Sequence, residues 1–139
     1  MSKRKTLSLC LFCNKEFYSH YSSFGKYCSF GCQHKYSNQL RIKGWLEKQV
    51  NPINTNGLLT PWARRYLFEK FGKKCCLCGW GEINKTTGKT PLEVDHLDGN
   101  FKNNEITNLR LLCPNCHSLT SNYKSLNKGK GRGKRKKIR

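Results

Sequence analysis

The stretch CPNCHSLTSNY, residues 113–123, decides how this chain is read. Cys113 and Cys116 stand two residues apart, the spacing at which one tight backbone knuckle brings two sulfurs to one ion. Upstream, KCCLCGW at 74–80 offers a second knuckle, Cys75 and Cys78. Two such knuckles complete a tetrahedral four-thiolate shell with no open position. The zinc site predicted here therefore supports folding and not chemistry. Cys76 is left over. A single residue separates it from Cys78, a poorer knuckle, and it reads as a buried small residue outside the cluster. A second quartet lies nearer the N-terminus, where Cys10 and Cys13 match Cys28 and Cys32. His20 and His34 are close enough in sequence to stand in for one of those four. A redox CxxC would sit beside a βαβ pattern, and none is visible.

Composition explains why such staples are needed. The chain has 139 residues, enough for one ordinary domain or two small modules, and only 36% of them are hydrophobic. A chain this short and polar buries little apolar surface, so it leans on metals or disulfides. No run approaches the roughly 18–20 apolar residues that span a membrane, and the N-terminus MSKRKTLSLCLF lacks the pattern of a signal peptide. The reading is intracellular and cytoplasmic. In that reducing setting paired cysteines are metal ligands sooner than disulfides. The charge is the second constraint, with 27 Lys+Arg against eight Asp+Glu. The tail from Lys128 to Arg139 holds eight basic residues and no acidic one; without it the body is still +11. A basic body as well as a basic tail points to a polyanion, and nucleic acid is the first candidate.

The order of segments predicts a small α+β chain stapled by zinc. Residues 1–50 read as a zinc finger followed by a helix over 34–50, where Ile42, Trp45 and Leu46 share a face and Gly44 weakens the helix. Residues 51–72 read as a turn-rich linker, NPINTNGLLT, and a helix that starts at Thr60-Pro61 and stops at Gly72. The basic residues of that helix can face a phosphate backbone or simply water. Residues 73–127 hold the second quartet. The Gly-interrupted basic tail, 128–139, reads as disordered until it meets nucleic acid.

Between the knuckles lies LEVDHLDGN, residues 92–100. Alternation puts Leu92, Val94 and His96 on one face of a strand and Glu93 and Asp95 on the other. A lone strand-end histidine usually has a packing role. His96 is not alone: Asn108 follows twelve residues on, and His117 stands directly after the last cysteine. The knuckles tie the ends of this segment together and so can bring His117 near His96.

LEVDHLDGNFKNNEITNLRLLCPNCHSLT resembles an HNH endonuclease motif of the ββα-metal class, in its form with two CxxC zinc knuckles found in small, often phage-borne enzymes. The match covers residues 73–123. CLFCNKEF and YCSFGC resemble, more loosely, an accessory treble-clef finger. The resemblance implies His96 as general base, Asp95 and His117 as ligands of a catalytic divalent metal, and Asn108 as the residue that holds the loop and orients the histidine. It implies DNA as substrate, 5′-phosphate and 3′-hydroxyl ends, and two structural zinc ions beside the catalytic ion. A homodimer or a phage packaging partner fits it. Some relatives carry a further histidine where this chain has Ser121. With two protein ligands, water and phosphate fill the remaining positions, which favours Mg2+ or Mn2+. Asp98 matches no required position and reads as an Asp-Gly turn. Asn103, Asn104 and Asn122 can serve as supporting or DNA-contacting residues, but read mainly as loop and helix surface.

The chemistry suits these types. An attacking water must lose a proton, which a neutral imidazole can take near pH 7. A divalent cation stabilises charge on the phosphoryl and leaving oxygens. Neighbouring strand residues point apart, so Asp95 can face an ion while His96 faces the water. Two other readings are a zinc DNA-binding protein without catalysis and a ribosomal or RNA-binding zinc protein. Neither needs Asp95, His96, Asn108 and His117 together.

Overall fold

The computed structural model describes residues 6–19 and 25–129. His20 and the tail from residue 130 onward lie outside the described residues, and with them the expectations placed on them. The chain divides into two compact units, Met1–Val50 and Asn51–Arg139. Among the described residues the strands make two separate two-stranded antiparallel sheets, joined by helices in a small α+β arrangement. No helix among them is long and apolar enough to cross a membrane.

In the first unit, β1 (Thr6–Leu9) pairs with β2 (Glu16–Ser19), Leu7 opposite Tyr18. The Cys10–Cys13 knuckle is the turn between them. Asn14, in the left-handed region at φ 55°, closes it by donating its N–H to Cys10 O at 2.9 Å. Helix α1 runs Phe30–Leu46. It starts four residues before the sequence predicts because Ser29 caps it, accepting from Cys32 N. It ends early because Lys48 turns left-handed at φ 60°. The chain then folds back, and the N–H groups of Gln49 and Val50 both reach Gly44 O. A Cβ at Gly44 would stand 2.5 Å from Val50 Cγ2. Gly44 therefore makes room for this return, at a helix-propensity cost of about 1 kcal/mol.

In the second unit, the stretch predicted to be a linker closes on itself. Ile53 bridges Leu59, and Asn54 Oδ1 accepts from the N–H groups of Asn56 and Leu58. Helix α2 runs Pro61–Lys70. Thr60 precedes it as expected, but its hydroxyl donates to Pro52 O and fastens the helix start to the hairpin. Ala63 and Leu67 are fully buried, and Gly72, at φ 61°, ends the turn. Strand β3 (Glu93–His96) pairs with β4 (Leu109–Leu112), and the five-residue α3 (Pro114–Ser118) follows at once. Helix α2 packs on β4, and α3 packs on both strands. Leu67, Leu92, Leu111 and Leu112 are fully buried, each worth about 1.5–3 kcal/mol. This small core holds β3 rigid.

Candidate active site

Sulfur geometry comes first, since it anchors everything else. The ligand atoms of Cys10, Cys13, Cys28 and Cys32 lie within 4.8 Å of one another, and so do those of Cys75, Cys78, Cys113 and Cys116. Individual pairs stand 3.4–3.8 Å apart: Cys13–Cys28, Cys28–Cys32 and Cys78–Cys113. Four sulfurs about 2.3 Å from one tetrahedral ion would be roughly 3.8 Å apart, so both quartets can hold structural zinc. Burial pushes the Cys10 and Cys75 thiols up, but converging backbone N–H groups outweigh it and bring each down to about 6. Hydrogen bonding to the neighbouring thiols, Cys32 foremost at Cys28 and Cys78 foremost at Cys116, pushes both up to about 12. Four thiols this close cannot all ionise unaided; a cation that takes four thiolates resolves the conflict.

Cys76 stays outside the second cluster. It is exposed, not buried as the sequence predicts. Its N–H donates to Leu111 O, and its sulfur accepts from Leu111 N. Those two bonds seat the first knuckle beside β4.

Asp95 lies directly across from Arg110 in the β3–β4 register. Its side chain is only 7% exposed, and Arg110 Nε donates to its Oδ2 at 2.8 Å. A carboxylate this buried needs a cation or a metal. Arg110 supplies charge on one oxygen and leaves Oδ1 to face His117, whose Nε2 is 3.7 Å away. The other ring nitrogen, Nδ1, meets the Glu93 carboxylate. Glu93 and Asp95 thus share a strand face, and both reach the histidine that α3 presents right after Cys116. The ring also packs edge-on against Tyr123, with centroids 5.3 Å apart. Because Glu93 accepts a hydrogen bond from Nδ1–H, Nε2 is the nitrogen with a free lone pair. Two ligands each about 2.1 Å from one ion lie no more than about 4.2 Å apart, so Asp95 Oδ1 and His117 Nε2 fit a shared divalent cation.

His96 is fixed from another side. Its Nε2 lies 3.1 Å from Asn104 Oδ1. The Asn104 amide has a set orientation, because its Nδ2 donates to Phe101 O and Lys102 O. Oδ1 therefore faces the ring as an acceptor, Nε2 carries the proton, and Nδ1 is the basic nitrogen. Asn104 is buried, in contrast to its reading as loop surface.

Asn108 holds the loop that follows. Its backbone oxygen accepts from Leu97 N, its Oδ1 from Asp98 N, and its Nδ2 donates to Asp98 Oδ1 and Asn103 O. It acts on His96 through residues 97–98; the partner of the ring is Asn104. Asp98 is more than a turn capped by its own carboxylate. It accepts from Asn103 Nδ2, Asn100 N and Asn108 Nδ2, which hold its carboxyl down at about 2. The C-terminal segment clasps the same loop, with Asn122 Nδ2 donating to Leu97 O and Asn127 Nδ2 to Gly99 O. Gly99 has φ 69°, and a Cβ there would stand 2.7 Å from Asn122.

Asp95, His96 and His117 line one open cleft of about 240 Å³, with Gly99, Asn122 and Asn127. Four of the residues that organise it escape the sequence reading in their roles. Glu93 has a signal, its place two residues before Asp95 on one strand face. Asn104 is one of three asparagines that the sequence offers as supporting residues, with nothing to single it out; Arg110 and Tyr123 have no signal that a single sequence displays.

A 40-residue stretch of this chain is 58% identical to the H-N-H endonuclease F-TflIV of Escherichia phage T5. The match covers 29% of this chain and 18% of that protein, so the chain spans less than a fifth of the relative. No family model matches the chain, and no solved structure does. The similarity and the two four-sulfur groups bear out the resemblance to zinc-bound HNH endonucleases.

Proposed function

We propose that residues 73–127 form a ββα-metal nuclease unit that hydrolyses phosphodiester bonds of DNA in the cytoplasm of a bacterial or phage-infected cell. The observation that carries this reading is the meeting of Asp95 Oδ1 and His117 Nε2, 3.7 Å apart, in the cleft that His96 also lines. The H-N-H endonuclease relative supports it.

Asp95 and His117 would hold a divalent ion, Mg2+ or Mn2+, which when bound neutralises charge on the phosphoryl oxygens and the leaving 3′ oxygen. The other steps belong to the chain. Arg110 donates to one oxygen of the buried Asp95 and aims the other at His117. Glu93 fixes the tautomer of His117. Asn104 fixes that of His96, so Nδ1 takes the proton of the attacking water. The Asn108–Asp98 hub holds the backbone just beyond His96. In-line attack by that water breaks the bond to the 3′ oxygen, which takes a proton from solvent, and leaves 5′-phosphate and 3′-hydroxyl ends. One such site cuts one strand, so a double-strand break takes a homodimer, another partner or a second visit.

Supercoiled plasmid incubated with Mg2+, Mn2+ or EDTA tests the reading. Nicking should need the metal, and His96→Ala should lower it about 10²–10⁴-fold, the usual worth of a positioned base, with two zinc ions retained per chain. DNA that is bound but uncut under either metal would leave a zinc DNA-binding protein instead. Asn104 is a positioning residue, and its variants separate kcat from KM. Asn104→Leu should lower kcat about tenfold, one lost hydrogen bond to a buried group. KM for DNA should hold, and Asn104→Asp, which keeps an acceptor, should recover part of the rate. Equal rates in both variants would remove Asn104 from the mechanism.

A further inference from the structure

Two more clefts open on the second unit, and shared residues join them to the candidate site. One of about 470 Å³ is lined by Arg64, Arg65, Lys73 and Lys89, with Phe68 and Ile83. A second, of about 360 Å³, shares Arg64 with the first and reaches Glu93 and His96. His96 in turn lines the cleft that holds Asp95 and His117. Shared lining residues thus place the three in series, a path from α2 to the candidate site.

We propose that this path is the track of the DNA strand, with Arg64, Arg65, Lys73 and Lys89 holding phosphates that flank the bond to be cut; it rests on the nuclease reading above. The first cleft is lined by four cations and no carboxylate. Arg65, Lys73 and Lys89 are exposed, and none forms an ion pair among the described residues. Local structure puts them there. Arg65 sits on α2 beside Arg64. Lys73 is turned into the cleft by two consecutive left-handed residues, Gly72 at φ 61° and Lys73 at φ 55°, with its N–H on Phe68 O. Lys89 is presented by the tight turn that the Asn84–Lys89 bridge closes, where Asn84 Oδ1 accepts from the N–H groups of Thr86 and Thr87. Arg64 is the organised member. It lies over the Phe68 ring at 5.1 Å and gives one donor to Leu92 O at the start of β3. Its other guanidinium donors remain for a phosphate.

The chemistry selects the occupant. Lysine ammonium groups are mobile point charges, suited to phosphate oxygens and poor at reading base edges. Two such lysines, with two arginines whose planar forks match phosphate oxygens, leading to a site that acts on a phosphodiester fit a nucleic-acid backbone. A small acidic ligand would fill one cleft and would not need the continuity with His96.

The test measures binding of a short DNA duplex by anisotropy in EDTA, across a range of salt, in the His96→Ala chain. To this is added Arg65→Ser, Lys73→Ser and Lys89→Ser together. All three side chains are exposed, and two zinc ions per chain will certify the fold. A control neutralises Lys15, Lys26 and Lys43 of the first unit. Each lost phosphate contact lowers the slope of log affinity on log salt by about 0.9, so the groove variant should lose roughly 2.7. An Arg65→Lys chain should keep the slope. An unchanged slope in the groove variant, or an equal fall in the control, overturns the proposal. Cleavage by chains with native His96 is read separately in Mg2+ and Mn2+. A reduced slope without any cleavage keeps the groove and removes the nuclease reading. Cleavage with an unchanged slope does the reverse.

Discussion

The two cysteine clusters are alike in chemistry and unlike in what they carry. In the first unit the last cysteine, Cys32, sits in the opening turn of the 17-residue α1. That unit holds no aspartate and only two glutamates, Glu16 and Glu47. Among its described residues, nothing pairs a buried carboxylate with an imidazole. In the second unit the last cysteine, Cys116, lies inside a helix of five residues, and the next residue is His117, set against Glu93 and Asp95 of β3. A four-thiolate staple is thus generic. The candidate site arises where the staple brings one element's histidine onto another element's carboxylates.

Breaking each staple in turn gives the largest expected contrast. Cys113→Ala should lose one zinc, unfold the second unit and abolish cleavage. A structural zinc in a small module is worth about 10–16 kcal/mol, against about 5–15 kcal/mol for a whole domain. Cys13→Ala should also lose one zinc, yet leave kcat within about threefold, because the proposed catalytic groups all belong to the other unit. Metal content and plasmid nicking measure both. Loss of kcat in Cys13→Ala would mean that the first unit does more than the comparison grants it.

A smaller effect probes the join between staple and site. Glu93→Gln keeps the shape but removes the charge that orients His117. Affinity for Mg2+ or Mn2+ should fall about 10–100-fold, as is usual for such outer partners, and excess metal should restore the rate. Zinc content should not change, since Glu93 touches no cysteine cluster. A titration of nicking against metal concentration reads this. A defect that excess metal leaves untouched would place Glu93 outside the metal site.

Much of this organisation is legible in the sequence, for a physical reason. A four-thiolate zinc site needs cysteines at fixed short spacings, so both quartets stand out unaided. Thr60-Pro61 and Gly72 mark α2 because caps and stops use few residue types. Glu93, Val94 and Asp95 announce a strand by alternation, but burial then departs from it. Asp95 is buried while Val94 is only half-buried, because Arg110 lies opposite and compensates the charge. That pairing depends on register, which comes from Leu109–Leu112 folding back, and no local pattern encodes it. Asn104 is hidden in the same way among similar neighbours, Asn100, Asn103 and Asn108. Only the path of the loop decides which amide meets His96.

The smallest expected effect comes from the loop hub, and it too separates the units. Asp98 has its carboxyl held down at about 2, against an ordinary 3.8, by Asn103, the Asn100 N–H and Asn108. A depressed acid stabilises the fold fully above its ordinary value and loses that contribution as pH falls towards about 2. Asp98→Asn should therefore lower the melting temperature of the second unit by the same small amount everywhere from pH 8 to about 5. The gap should close only below about pH 4. The thiolates release zinc as they take up protons, so the upper range is where the comparison is cleanest. The first unit has no aspartate, and its melt should not move. A gap that varied between pH 6 and 8 would mean that a histidine, and not Asp98, governs the loop. His96 would be the first suspect, since its charge also helps hold Asp98 ionised.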